Sequence, residues 1–334
     1  MMAELRFISD AEAKDLLAGK GSWRQYPAYA AQAARRIGAR SRYALIKQDG
    51  TAVALANLRT KQVAAGVLSS TLISHGPVFL GEPTQAALDT VVRTLRQRIS
   101  GEEKGELVID PDPFLAELDL RIANDTGKTT VSDGYRTIVL DISRDEELIQ
   151  AGFHGKWRTD WRRAGKEGLE LRSSGDPDEI ERMEPLLDEL ARTKGFAVPQ
   201  DAAFFAEAAR QAGEGERFII QQIWKDGELL SGHIGAYSGD TAVYLLGATS
   251  ERGRPLRAAY LAQWGAILTA KSLGITRYDL GGIDPEENPA VYRFKNRMGG
   301  TEIVSPAPVT YKAGGWRGPL LGLAKAVYAK GKRI

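Results

Sequence analysis

A chain of 334 residues, 43% hydrophobic and 26% charged, carries enough apolar material for two domains of about 150 residues each. It contains no cysteine, which excludes disulfides, thiolate metal sites and a cysteine nucleophile. The net charge is only +2, yet Lys and Arg gather around residues 154–172, 251–257 and 325–333, so anionic partners are expected at local patches.

Met1 to Asp10 mixes charge with apolar alternation and lacks the apolar core of a signal peptide, and no later run approaches the roughly 18 apolar residues of a spanning helix. A cytoplasmic protein is expected. Leu5 to Ser9 alternates like a strand and runs into a helix cap, followed by helical stretches near 11–18 and 27–37. Tyr43 to Lys47, Gln48-Asp49-Gly50 and Thr51 to Leu58 then read as a hairpin, because Asp-Gly supplies the positive φ of a tight turn. A helix near 84–99 leads to the buried-looking strand Leu107-Val108-Ile109 and the turn Asp110-Pro111.

The same order then repeats. After a connecting strand (Arg136 to Ile142) and a predicted helix from about Asp145 to Glu167, Leu169 to Ser174 alternates and ends at Asp176. Helical stretches near 178–194 and 201–212 follow, then a hairpin over Phe218 to Tyr237 turning at Asp226-Gly227. A helix near 255–273, with Pro255 in its first turn, leads to Tyr278-Asp279-Leu280 and Asp284-Pro285. Asp10, Asp49 and Asp110 thus recur as Asp176, Asp226 and Asp284, at offsets of 166, 177 and 174 residues. An internal repeat is predicted. Strand, two helices, antiparallel strands, helix, strand resembles the GNAT acyltransferase fold. The expected class is therefore α/β (α+β): two tandem GNAT-like domains, residues 1–145 and 146–315, with mixed, mostly antiparallel sheets flanked by helices, followed by a basic amphipathic tail, 316–334. Ligands are expected in a groove between the halves.

Three segments carry candidate chemistry. In His154 to Lys166, Arg158 and Arg162 lie one helical turn apart, as do Trp157 and Trp161; with Lys156 and Arg163 they offer phosphate donors and stacking rings. Packing of both tryptophans into the core, with the cations in water, fits the pattern equally well. Arg252, Arg254 and Arg257 precede the long helix where a CoA-dependent GNAT enzyme presents backbone N–H groups to a pyrophosphate; here Pro255 removes one N–H and stands where glycine is required. Tyr278 to Gly282 and Phe294-Lys295 form the third segment: the glycines allow close approach to the backbone, and the lysine supplies a cation able to stabilise a developing oxyanion. Without further context Phe294 reads as core and Lys295 as surface. His75, His154 and His233 show no metal spacing and no nucleophile elbow occurs, so neither a metal nor another bound cofactor is expected.

Together Lys156-Trp157-Arg158, Gly227 to Gly232, Tyr244 to Ala248, Tyr278 to Gly282 and Phe294-Lys295, in this order over most of the chain, resemble the FemABX family of aminoacyl-tRNA-dependent transferases. The resemblance implies transfer of an amino acid from aminoacyl-tRNA, a co-substrate, to an amine on the stem peptide of a nucleotide- or lipid-linked peptidoglycan precursor. It places Phe294 and Lys295 at the reaction centre, and Tyr244, Gly281, Gly282, Lys156 and Arg158 on substrate. Arg162, Arg163, Arg252, Arg254 and Arg257 are the candidate tRNA contacts. The family's lysine after an aromatic in the first helices is missing from Tyr29-Ala30-Ala31-Gln32-Ala33, so the acceptor clamp is altered. A monomer is expected, with the tail as a peripheral contact to the inner membrane face. The alternatives are a CoA-dependent N-acyltransferase, or a non-catalytic RNA- or lipid-binding protein of the same fold.

Overall fold

The computed structural model describes residues 3–63, 66–115, 118–120, 134–194, 201–312, 317, 318 and 320. The chain divides into two compact units, residues 1–135 with 304–334, and residues 136–303. Most of the basic tail lies outside the described residues.

In the first unit β1 (Ala3–Ile8), α1 (Asp10–Leu17), α2 (Pro27–Arg36), β2 (Arg40–Gln48), β3 (Thr51–Val63), β4 (Leu68–Ser74), β5 (Val78–Phe79), α3 (Gln85–Arg96) and β6 (Glu106–Asp110) follow one another. Ser9 caps α1 by accepting from the Glu12 amide, and Asp49 and Gly50 take φ of 48° and 83° to close the β2–β3 hairpin. The sheet runs β1-β2-β3-β4-β6, and β6 lies parallel to β4 because α3 carries the chain across between them. Alternation along the strands sorts the core. Ala44 and Ile46 face Leu88, Val91 and Leu95 of α3, whereas Tyr43 and Leu45 face Leu17 of α1 and Tyr26.

The second unit repeats this plan. It contains β7 (Arg136–Asp141), α4 (Glu146–Gly152), α5 (Gly155–Ala164), β8 (Glu170–Ser174), α6 (Pro177–Glu181), α7 (Glu184–Lys194), α8 (Ala202–Gln211), β9 (Glu216–Lys225), β10 (Glu228–Ser238), β11 (Thr241–Thr249), α9 (Ala258–Ser272), β12 (Arg277–Asp279), α10 (Pro289–Asn296) and β13 (Thr301–Val304). Asp226 and Gly227, at φ of 51° and 79°, close the β9–β10 hairpin. The strand order is β13-β7-β12-β11-β10-β9-β8, with β11 and β12 parallel on either side of α9. Finally β14 (Val309–Tyr311) returns to pair antiparallel with β6 of the first sheet. The mostly antiparallel tandem architecture expected from the repeat is the one observed.

Three local expectations fail. The stretch from Asp145 to Glu167 is two helices, because Phe153 and His154 adopt extended backbone and break it, leaving His154 to cap α5. The stretch 178–194 likewise divides into α6 and α7. Pro255 lies before α9, which starts at Ala258 after Arg257 enters the left-handed region at φ 60°.

Candidate active site

The site is built where β11 and β12 separate. They pair only from Thr241 to Val243 with Arg277 to Asp279; beyond this β12's chain follows β7 through Leu280 N–H to Ile138 O. Parting parallel strands leave a crevice at their carboxyl ends, the usual ligand position in α/β sheets. A cavity of about 440 Å³ occupies it, lined by β10, β11, the start of α9 and the face of α10 carrying Val291, Phe294 and Lys295.

Lys295 is only 5% exposed. Asn288 caps α10 and Pro289 opens it, so the helix aims the ammonium back at the end of β12. There Nζ donates to Gly282 O at 2.8 Å and Gly281 O at 3.3 Å, and lies 4.9 Å from the centroid of the Tyr244 ring. Desolvation lowers its pKa to about 8, opposed by Asp279. It is a buried cation held by carbonyl dipoles and an aromatic face. Asp279 accepts from the Thr137 hydroxyl and from Gly281 N–H at 2.8 Å, which fixes the backbone that receives the lysine. Gly281 is required for its φ of 73° and because a Cβ would stand 2.4 Å from Tyr244 O.

A bulge aims Tyr244. Between Tyr244 and Leu246 the register against β10 shifts by one, bringing Tyr244 and Gly247 to one face; a Cβ on Gly247 would meet the Tyr244 hydroxyl at 2.1 Å. The Tyr244 ring stacks on His233 with centroids 4.6 Å apart, and burial raises the phenol to about 12. His233 is held neutral, with its pKa near 3, by burial and secondarily by the Lys295 charge, against an opposing hydrogen bond to Ala262. Its Nε2 lies 3.4 Å from the Tyr278 hydroxyl, which donates to Gln263 Oε1 at 2.6 Å. His233 and Gln263 escape a sequence reading because neither stands in a spacing that marks chemistry, whereas Asp279 lies within the Tyr278 to Gly282 segment without a role of its own assigned there.

Phe294 lines the cavity and packs its other face on Tyr260 and Trp157, at 5.0 and 6.3 Å. Trp157 is fully buried in the core, and the partly buried Trp161 packs against the same core on Trp264. The predicted cations scatter. Arg254 lines the cavity, while Lys156, Arg162 and Arg163 stand exposed on α5. Arg158 donates to the carbonyls of Ala151 and Phe153 at the end of α4. Arg257 pairs with Asp160 at 2.6 Å, tying α5 to α9, and Arg252 pairs with Asp226 and Glu228 of the β9–β10 hairpin.

Most amides of the loop before α9 are committed internally. Glu251 N–H donates to Glu189, Gly253 and Arg254 N–H to Ser250 O, Arg257 N–H to Arg254 O and Ala258 N–H to Gly253 O; Pro255 has none. Five donors that a pyrophosphate cradle would direct outward are therefore satisfied within the protein. Among the described residues no cluster of three His, Asp or Glu could hold a metal, and no described helix is long and apolar enough to cross a membrane.

Residues 153–296 match the family model of an acetyltransferase (GNAT) domain. FemX superposes with a TM-score of 0.77 at 18% identity, over 96% of this chain and 99% of that one. The C-terminal domain (DUF2156) of a putative lysylphosphatidylglycerol synthetase from Agrobacterium fabrum gives 0.56 at 13% identity, over 96% and 97%. A tandem GNAT protein from the clavulanic acid biosynthesis pathway gives 0.52 at 12%, over 94% and 99%. No curated protein sequence matches. At these identities the structural likeness establishes the fold.

Proposed function

We propose, from the premise that this chain is a tandem GNAT-fold protein built like FemX, that it is an aminoacyltransferase moving an amino acid from aminoacyl-tRNA to an amine of a peptidoglycan precursor's stem peptide. The acceptor amine attacks the ester carbonyl carbon, forming a C–N bond and a tetrahedral oxyanion. Collapse breaks the C–O bond to the ribose; the amine loses a proton and the ribose oxygen gains one.

Lys295 is the group assigned to the oxyanion. Its ammonium is pre-positioned by two carbonyls and a ring, in a water-poor site where a cation stabilises developing charge far more than it would in water. Phe294 forms the apolar wall beside it, and Gly281 and Gly282 hold the ammonium through their carbonyls. Tyr244 packs against the same cation, and Arg254 is the cavity cation assigned to tRNA phosphate. Arg162, Arg163 and Lys156 offer a further exposed basic surface for the tRNA backbone.

The observation that carries the donor assignment is the loop before α9: with five of its amides committed and Pro255 lacking one, it favours a donor other than CoA. The test supplies purified protein with charged tRNA or with acetyl-CoA, in the presence of soluble muropeptide acceptors. Transfer from tRNA is expected. Transfer from acetyl-CoA alone would assign the protein to the CoA-dependent class.

A further inference from the structure

A cavity of about 330 Å³ lies in the first unit where α3 runs out beside the returning strand β14, lined by Arg93, Arg96, Gln97, Ser100, Gly101 and Lys312. Two elements build it. From Gln97 to Glu102 the helix continues as a wider π-helical turn, a form that recurs at functional sites. The buried Ser100 ties that turn to β14 by donating to Tyr311 O at 3.4 Å. Lys312 follows β14 directly, so it enters the lining from a different element than the two arginines.

Among the described residues the lining holds three cations and no acid. Arg93 and Lys312 are exposed, and neither forms an ion pair or a side-chain hydrogen bond with a described residue. The Arg96 guanidinium lies 5.5 Å from the Tyr311 ring centroid, which holds it beside the same strand. The acids nearest in sequence are engaged elsewhere: Glu102 and Glu103 pair with Arg98, Glu103 also pairs with Arg42, and Asp89 accepts from Gln85 at 2.8 Å. Cations in the last turn of a helix ordinarily complement its dipole, which accounts for Arg93 and Arg96. It does not account for Lys312, whose charge adds to theirs from the neighbouring strand.

Two guanidiniums and an ammonium converging on one concavity suit the oxygens of a phosphate. The sequence after Lys312 indicates which kind of phosphate. Residues 313–334 contain five further Lys or Arg and no Asp or Glu, interleaved with Trp316, Leu320, Leu321, Leu323 and Tyr328. An anionic bilayer surface rewards both kinds of residue, cations at its headgroups and apolar side chains at the acyl boundary. A nucleic-acid backbone rewards the cations and makes no use of the leucines. The basic cavity stands where this segment leaves the first sheet.

We propose that the first unit docks on an anionic membrane surface, with the phosphate of a phospholipid headgroup seated among Arg93, Arg96 and Lys312 at the end of α3. The docking surface goes beyond the transferase reading and stands whichever acyl donor the second unit uses.

Co-sedimentation of the full chain with vesicles of phosphatidylcholine, alone or with about one third phosphatidylglycerol, tests it. Binding to the anionic vesicles is expected to be at least tenfold tighter and to weaken as salt rises. Arg93→Gln/Lys312→Gln removes two exposed, unpaired cations; it should melt with the parent and bind the anionic vesicles about twentyfold more weakly, roughly fivefold per cation. Arg93→Glu/Lys312→Glu should abolish that binding. Lys14→Gln/Arg217→Gln, an equal loss of charge on α1 and β9, should leave it within about twofold of the parent. The proposal is overturned if the full chain binds neither vesicle or both equally, or if the α1 and β9 control falls as far as the Arg93 and Lys312 variant. Undiminished binding by Arg93→Gln/Lys312→Gln would also overturn it, leaving the cavity without a part in docking. If that variant lost more affinity for uncharged tRNA than for vesicles, the cavity would be a nucleic-acid contact and the membrane assignment would fall.

Discussion

The two units end their parallel strand pairs differently. In the first, β4 and β6 stay paired through five positions, Ser70 to Ser74 with Glu106 to Asp110, and charged side chains gather on the closed face beyond. In the second, pairing stops after three positions, a bulge swings Tyr244 across the gap, and Gly281 turns its carbonyl towards Lys295. Where pairing stops decides whether the fold's crevice becomes a cavity. A fold present twice therefore presents two strand ends of different chemistry, and fold alone assigns a function to neither.

The sharpest way to break this contrast is to deny the second unit its turn. Gly281→Ala places a side chain at φ 73° and 2.4 Å from a backbone oxygen, and should cost about 2–3 kcal/mol of stability, read from the denaturant midpoint. A loss below about 0.5 kcal/mol would mean that the strand end tolerates repacking, and the separation would not be held by this glycine.

Lys295→Met should act with the opposite sign on stability. A lysine pKa lowered from 10.5 to about 8 means the folded protein bears a cation penalty below pH 8, which disappears as pH rises towards 10.5. Its upper bound is about 3 kcal/mol, reduced to about 1–2 kcal/mol because the variant leaves two carbonyls without their donor. The variant should therefore be more stable than the parent at pH 7, with the gap closing between pH 8 and 10.5. A gap independent of pH would place the shift elsewhere. In the parent, transfer should decline as pH rises through about 8.

Local chemistry made the two hairpins legible: Asp49-Gly50 and Asp226-Gly227 dictate their turns without help from the rest of the chain. Phe294-Lys295 and Gly281-Gly282 were legible as a pair through their resemblance to a known family. The burial of Lys295 was not, because an isolated lysine is ordinarily a surface residue and only the end of β12 draws it inward. The Tyr244–His233 stack depends on a bulge that no local residue announces. Arg252 and Arg257 resembled phosphate ligands because their partners lie elsewhere in the chain, Arg257 and Asp160 being 97 residues apart, and Arg158 did because its acceptors are nearby backbone carbonyls that no residue type marks. Basic segments show where charge is dense, and only tertiary structure shows which of it is already engaged.

The most direct test of the central claim, that Lys295 stabilises the transition state of transfer in the second unit, is single-turnover transfer by Lys295→Met beside its affinity for charged tRNA. The account predicts a rate lower by about 10³-fold, the scale of one oxyanion donor, with tRNA affinity within about twofold of the parent. Equal losses of rate and affinity, or a rate close to that of the parent, would contradict it.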